Sequence, residues 1–270
     1  MRALLASPLG LLIGLSLGAL GGGGSILAVP ALVYAAGQSP KHATTTSLVL
    51  VGLTAVIGII PHWRAGRVRV AAGSIFGLAG IGGSLVGSHW NRAADPNVLL
   101  LAFAGLMLVA AYGMIRRVRA PQAIVHSPQS VGAAVATNAP PSMSHGLLTA
   151  LKVAAAGSVV GLLTGFFGVG GGFVIVPALV LALGFSMPEA VGTSLLVIAI
   201  NAVIALTTRL HGGAIEWGTV IPFTVASVLG VAIGSRLAST RDARSLQRWF
   251  IVLLVIVAIY TAARSVLALT

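Results

Sequence analysis

Two glycine clusters constrain this chain more than any other feature. The first reads Gly21-Gly22-Gly23-Gly24-Ser25-Ile26-Leu27-Ala28-Val29-Pro30, and the second Gly168-Val169-Gly170-Gly171-Gly172-Phe173-Val174-Ile175-Val176-Pro177. Each interrupts a strongly apolar run, and each is followed by a proline at the same distance. Glycine is poorly tolerated inside a helix and proline breaks one, so both runs are expected to be broken helices. In hydrocarbon no water repairs the freed backbone groups, so such a break survives only where protein or a wet cavity covers it.

Composition makes hydrocarbon the relevant solvent. Hydrophobic residues make up 57% of the 270 and charged residues only 7%, with mean hydropathy +1.04. Soluble domains carry about 25% charged residues, so the expected class is an all-α polytopic membrane protein. Net charge is +12, and the only acids are Asp95, Glu189, Glu216 and Asp242. The arginines lie in short links between apolar runs, with no basic, aromatic-laced surface. They are better explained by membrane topology and anionic headgroups than by nucleic acid, which is not an expected partner. Without cysteine there is no disulfide framework and no thiolate metal site. The segment from Met1 to Ser25 resembles a signal peptide, with Arg2 and an apolar core from Leu9 to Leu20. The same pattern recurs mid-chain from Gly161 to Gly172, so the segment is expected to be retained.

The halves align without a gap when Gly14 is set against Gly161. From Gly14 to Leu48 against Gly161 to Leu195, 18 of 35 positions are identical. Shared alanine and leucine mean little in so apolar a chain. The matches that count include Gly21/Gly168, Gly23/Gly170, Gly24/Gly171, Pro30/Pro177, Gly37/Gly184, Thr46/Thr193 and Ser47/Ser194. In a single register these indicate duplication. The expected organisation is a first membrane repeat over 1–115, a linker over 116–146 and a second repeat over 147–270. Each repeat holds one Gly-broken element and three plain helices, about eight helical elements in all. The spans are expected near 4–36 (broken), 43–62, 68–90 and 96–115, then 147–184 (broken), 189–209, 214–236 and 245–268.

A single helix from Leu4 to Ala36 would be ~50 Å long, too long for a ~30 Å hydrocarbon core without steep tilt. Two arrangements of shorter pieces satisfy that limit. The pieces either run on through the membrane, giving parallel halves, or fold back as a re-entrant hairpin, giving inverted halves. Inverted halves put eleven of the sixteen basic residues inside, and parallel halves ten. The local bias reverses between the halves, which leans towards inversion.

Gly21, Gly22, Gly23, Gly24 and Ser25, with Gly168, Gly170, Gly171 and Gly172, form the candidate substrate site. Exposed N–H groups and the positive ends of half-helices suit an anion held at mid-membrane. Close helix packing by small residues explains the same glycines about equally well. Pro30 and Pro177 are structural breaks. Thr46-Ser47 and Thr193-Ser194, just inside the helix after each break, either cap that helix or donate to a bound anion. Asn201 is a further candidate polar lining residue. His42, His62, Glu189 and Arg209 stand at helix ends, as interfacial anchors or as proton or gate residues. No carboxylate–histidine cluster lies within an apolar run, so no metal is expected. No His-Glu-x-x-His or serine–histidine arrangement argues for an enzyme, and no cofactor is expected.

The paired glycine–proline segments, each continued by Gly-x-Ser and Ala-x-x-Thr-Ser, resemble the TauE/SafE family of sulfite and organosulfonate permeases. The resemblance covers nearly the whole chain apart from 116–146. It implies a bacterial inner-membrane, multi-pass secondary transporter that exports sulfite, sulfoacetate or a related organosulfonate. Alternating access around the two facing breaks, a coupling proton and a homo-oligomer fit that picture. A carrier or channel for another small solute, or a non-transporting membrane assembly subunit, are the alternatives.

Overall fold

The computed structural model describes residues 2–25, 28, 32, 37, 40–91, 96–119, 143–167, 172–209 and 217–269. Among them are nine helices and no strand: α1 (Arg2–Leu20), α2 (Pro40–Arg64), α3 (Val70–Asn91), α4 (Pro96–Arg119), α5 (Met143–Phe167), α6 (Gly172–Leu181), α7 (Met187–Arg209), α8 (Trp217–Thr240) and α9 (Ala243–Leu269). Gly21–Gly24 form a 3₁₀ turn at the end of α1. Seven helices, α2 to α5 and α7 to α9, are long and apolar enough to cross a membrane, while α1 and α6 contribute shorter apolar segments. The expected all-α polytopic class is what the chain adopts. Helices α2, α3 and α4 begin at Pro40, Val70 and Pro96, and α7, α8 and α9 begin at their repeat counterparts Met187, Trp217 and Ala243.

Which residues touch fixes the direction of each helix. A Cβ added to Gly10, Gly14 or Gly18 of α1 would meet Phe223, Ser227 and Val231 of α8 in turn, so α1 and α8 run parallel. Gly157, Gly161 and Gly165 of α5 meet Phe76, Gly80 and Ser84 of α3, so these two also run parallel. These small residues let backbones approach closely, as membrane helices commonly do. Gly73 and Gly77 face Leu196 and Ile200, which makes α3 parallel to α7. In contrast, Gly52 meets Ala202 while Gly58 meets Leu195, so α2 and α7 are antiparallel. Since α2 and α7 are the repeat-related pair, the copies are inverted.

The same contacts decide how the broken elements run. Phe103 packs on Phe173 and Gly113 on Leu181, so α6 runs with α4. Gly172 at the start of α6 faces Ile198, well inside α7, while α6 ends at Leu181, with five residues between it and the start of α7, so α6 and α7 are antiparallel. Because α5 and α7 both run with α3, α6 turns back against α5, and the second element is a hairpin. Seven residues join α7 to α8. Such a link reaches only about 25 Å, too short to return along a 24-residue helix, so α8 reverses as well. Helices α1 and α2 therefore point the same way. Of the two arrangements that length allowed, the second element takes the re-entrant one, with α5 and α6 antiparallel.

This arrangement gathers Arg64, Arg67 and Arg69, Arg116 and Arg117, and Arg236, Arg241, Arg244 and Arg248 at one face. The positive-inside rule makes that face cytoplasmic. Helix α4 runs on to Arg119 and α5 starts at Met143, so helix overruns both ends of the expected 116–146 linker. The arginines there do not stop α4, because their stems can follow a helix into the interface. Arg117 also reaches across to α6, donating to the Val180 carbonyl and, at 2.9 Å, to that of Gly184. It thereby supplies partners at a helix end that has lost its own.

The halves interlock through this inversion. Each first element packs on the third helix of the other half, and second elements pack on each other, as do fourth elements. Core residues such as Leu50, Phe76, Met107, Leu195, Phe250 and Leu254 are all but fully buried between them.

Candidate functional site

The two breaks meet at the centre of this interlock. Gly21 has φ +66, a left-handed conformation that a side chain would strain, and this turns α1 into the 3₁₀ segment. The next residue, Gly22, lies backbone to backbone against Gly172 at the start of α6. A Cβ on Gly22 would overlap the Gly172 carbonyl. Gly21 to Gly24 and Gly172 are all buried.

Polar groups close around this contact. The Gly22 N–H donates to Ser194 Oγ at 3.3 Å, while that hydroxyl donates to the Val191 carbonyl at 2.8 Å. Ser25 Oγ donates to the Gly22 carbonyl at 2.7 Å. Thr193 and Ser194 are fully buried, and Thr46 and Ser47 nearly so. Thr193 Oγ1 accepts the Arg69 N–H at 3.1 Å. The structure therefore brings Gly21 to Ser25, Gly172, Thr193 and Ser194 into one locality beside the first half of α7. The positive end of α6 points into it, as an anion site would require.

Other expected site residues stand elsewhere. Asn201 lies at the α2/α7 crossing, where its buried Oδ1 has no hydrogen-bond partner among the described residues. Its repeat counterpart Thr54 bonds back to the Leu50 carbonyl of its own helix. Pro177 sits inside α6 without ending it. Helix α6 starts at Gly172 and continues past Pro177 to Leu181, so Pro177 is not the interruption that the sequence suggested; as the sixth residue of α6 it forgoes the one bond its N–H would have made to the Phe173 carbonyl. Gly168, Gly170, Gly171 and Pro30 lie outside the described residues, as do the side chains of His42 and Arg209. His42 occupies the first turn of α2 and Arg209 the last of α7. His62 is buried, with Nε2 3.3 Å from the Gly18 carbonyl. Glu189 is near the cytoplasmic end of α7, paired at 2.5 Å with Arg69.

Two sets of residues escaped sequence reasoning. Arg69 counted there only as a topology charge. Phe103 and Phe250 are repeat counterparts and flank opposite breaks. Phe103 stacks against Phe167 and Phe173 at centroid distances of 5.5 and 4.8 Å, and the Phe250 ring is the nearest neighbour a Gly23 side chain would meet, at 3.1 Å. Each break is thus packed by an aromatic from the other half. The shared register was a readable signal, hidden by the abundance of apolar matches.

The interlocked, inverted helical repeats with buried breaks define a polytopic membrane transporter. The chain belongs to the sulfite exporter TauE/SafE family, whose model matches residues 6–261. That family is one of membrane transporters rather than enzymes. The chain is 36% identical over 258 residues to "Probable membrane transporter protein" of Xylella fastidiosa strain 9a5c, covering 94% of this chain and 92% of that one. To "Probable membrane transporter protein YunE" of Bacillus subtilis strain 168 it is 24% identical over 263 residues, covering 95% and 92%. A shorter match of 112 residues, 34% identical, joins it to "Probable membrane transporter protein MJ0441" of Methanocaldococcus jannaschii, covering 39% and 42%. No solved structure matches it. The protein is a multi-pass membrane transporter, and an inner-membrane location agrees with its helical architecture.

Proposed function

We propose that this transporter is a secondary carrier exporting a small sulfur-containing anion, such as sulfite, sulfoacetate or another organosulfonate. The observation that carries the reading is the meeting of the two breaks. Gly22, Gly172, Ser25, Thr193 and Ser194 place backbone N–H and hydroxyl groups together where few acids compete, and the matched family is described by sulfite export. In the conformation described, Ser194 occupies the Gly22 N–H and the Gly22 and Gly172 backbones touch. An anion using those donors would replace Ser194 as their acceptor, and this requires the two breaks to part. Inverted repeats supply the two equivalent ways of parting that alternating access needs. His42, His62, Glu189 and Arg209 are the candidates for a coupling proton or a gate.

A panel of sulfite, thiosulfate, sulfoacetate and sulfate, read by thermal shift and by liposome flux, tests the substrate class. Stabilisation and flux with a sulfur oxyanion are expected. Flux of an unrelated neutral solute alone would overturn the assignment.

A further inference from the structure

We propose that Arg69 is a docking point for the substrate oxyanion at the cytoplasmic mouth, where the anion takes the place of the Glu189 carboxylate and frees the α2–α3 link from α7. The ligand class rests on the function proposed above.

The link from Ala65 to Arg69 lies across the first two turns of α7. A Cβ on Gly192 would stand 2.8 Å from the Arg67 carbonyl. The Arg69 N–H is bonded to Thr193, next to the Ser194 that holds Gly22. The fastening at the outer end of this series is ionic. Arg69 Nη2 and Nε reach Glu189 Oε1 at 2.5 and 3.0 Å. Their side chains are 41% and 24% exposed, so solutes reach them from the cytoplasm.

The pairing is built to be exchanged. Glu189 Oε2 accepts from the Ser186 N–H at 3.1 Å and its hydroxyl at 2.8 Å, so the carboxylate reaches back to the residue just before α7. If Arg69 leaves, the carboxylate keeps these two donors and water, so no charge is stranded. Arg69 presents a planar fork that suits a carboxylate, sulfite or sulfonate alike. The sequence has opposite charge types at the repeat-related positions too: Glu216 is the counterpart of Arg69, and His42 that of Glu189. Their side chains lie outside those described.

The chain has no cysteine, so a single thiol can report opening. Val191 is fully buried between Glu189 and Thr193, with its backbone against Gly21. In V191C, a membrane-impermeant thiol reagent at the cytoplasmic face should label slowly, and sulfite or sulfate should speed labelling several-fold. Adding Glu189→Gln should give fast labelling without anion. Adding Arg69→Ala should do the same and abolish the anion response. The charge-exchanged pair R69E/E189R should restore slow labelling, which shows that the fold tolerates changes at both sites. Unchanged labelling in Glu189→Gln, or an undiminished anion response in Arg69→Ala, would overturn the proposal. Labelling needs no solute to cross, so anion-driven opening without sulfite flux would sink the transport reading alone. Flux with anion-independent labelling would sink the docking alone.

Discussion

Ser25 and Gly172 occupy repeat-related positions and touch each other where the two breaks meet. A Cβ on Gly172 would overlap Ser25 Oγ, so the duplicated site holds one side chain and not two. The departure from symmetry at Ser25 is thus a packing solution: the hydroxyl fills the shared space and satisfies the Gly22 carbonyl.

This relationship predicts an asymmetric response to substitution. Gly172→Ser should destabilise the protein by ~1–3 kcal/mol, the usual cost of overpacking. Exchanging the residues, as Ser25→Gly with Gly172→Ser, should recover part of that loss because only one hydroxyl again occupies the space. Thermal unfolding in detergent of the two single variants and the double variant measures this. Additive losses would contradict it.

Neighbouring glycines of the first break should differ sharply. Gly22→Ala drives a methyl into the Gly172 backbone, which cannot yield without moving α6. Gly23→Ala meets only the Phe250 and Leu253 side chains, at 3.1 and 3.2 Å, and these can shift by a few tenths of an ångström. Gly22→Ala should therefore lose most folded protein in size-exclusion profiles, while Gly23→Ala should cost under about 1.5 kcal/mol.

Inversion makes a topological prediction. A reporter fused after Arg119 should be cytoplasmic and one fused at the C-terminus should face the opposite side, because α4 and α9 are repeat partners that point in opposite directions. Both reporters on the cytoplasmic side would contradict the inverted arrangement.

Much of this architecture was legible in the residues because its cause is local. Glycine marks where α1 ends and α6 begins, and the repeat register held so well that three helix starts recur in it. The fold-back of the second broken element was not legible, since the two topologies differed by one basic residue. What decides it is contact between halves, as in Gly52 on Ala202 and Gly58 on Leu195. Pro177 misled because α6 continues past it, its packed helix absorbing the loss of one backbone bond. The Arg69–Glu189 pair joins residues far apart in the chain, so Glu189 was legible only as a helix-end candidate and Arg69 only as a charge in a link.

Sulfite flux through proteoliposomes, compared between the parent and Ser194→Ala, reads whether the paired breaks carry a sulfur oxyanion. Removing the hydroxyl takes away the Gly22 N–H acceptor and a donor for the incoming anion, a loss on the order of 1–3 kcal/mol for a buried polar group. The parent should carry sulfite, and folded Ser194→Ala protein should carry it at least about tenfold more slowly, equivalent to ~1.4 kcal/mol. Equal flux from the two proteins, or none from a folded parent, would contradict that role of the breaks.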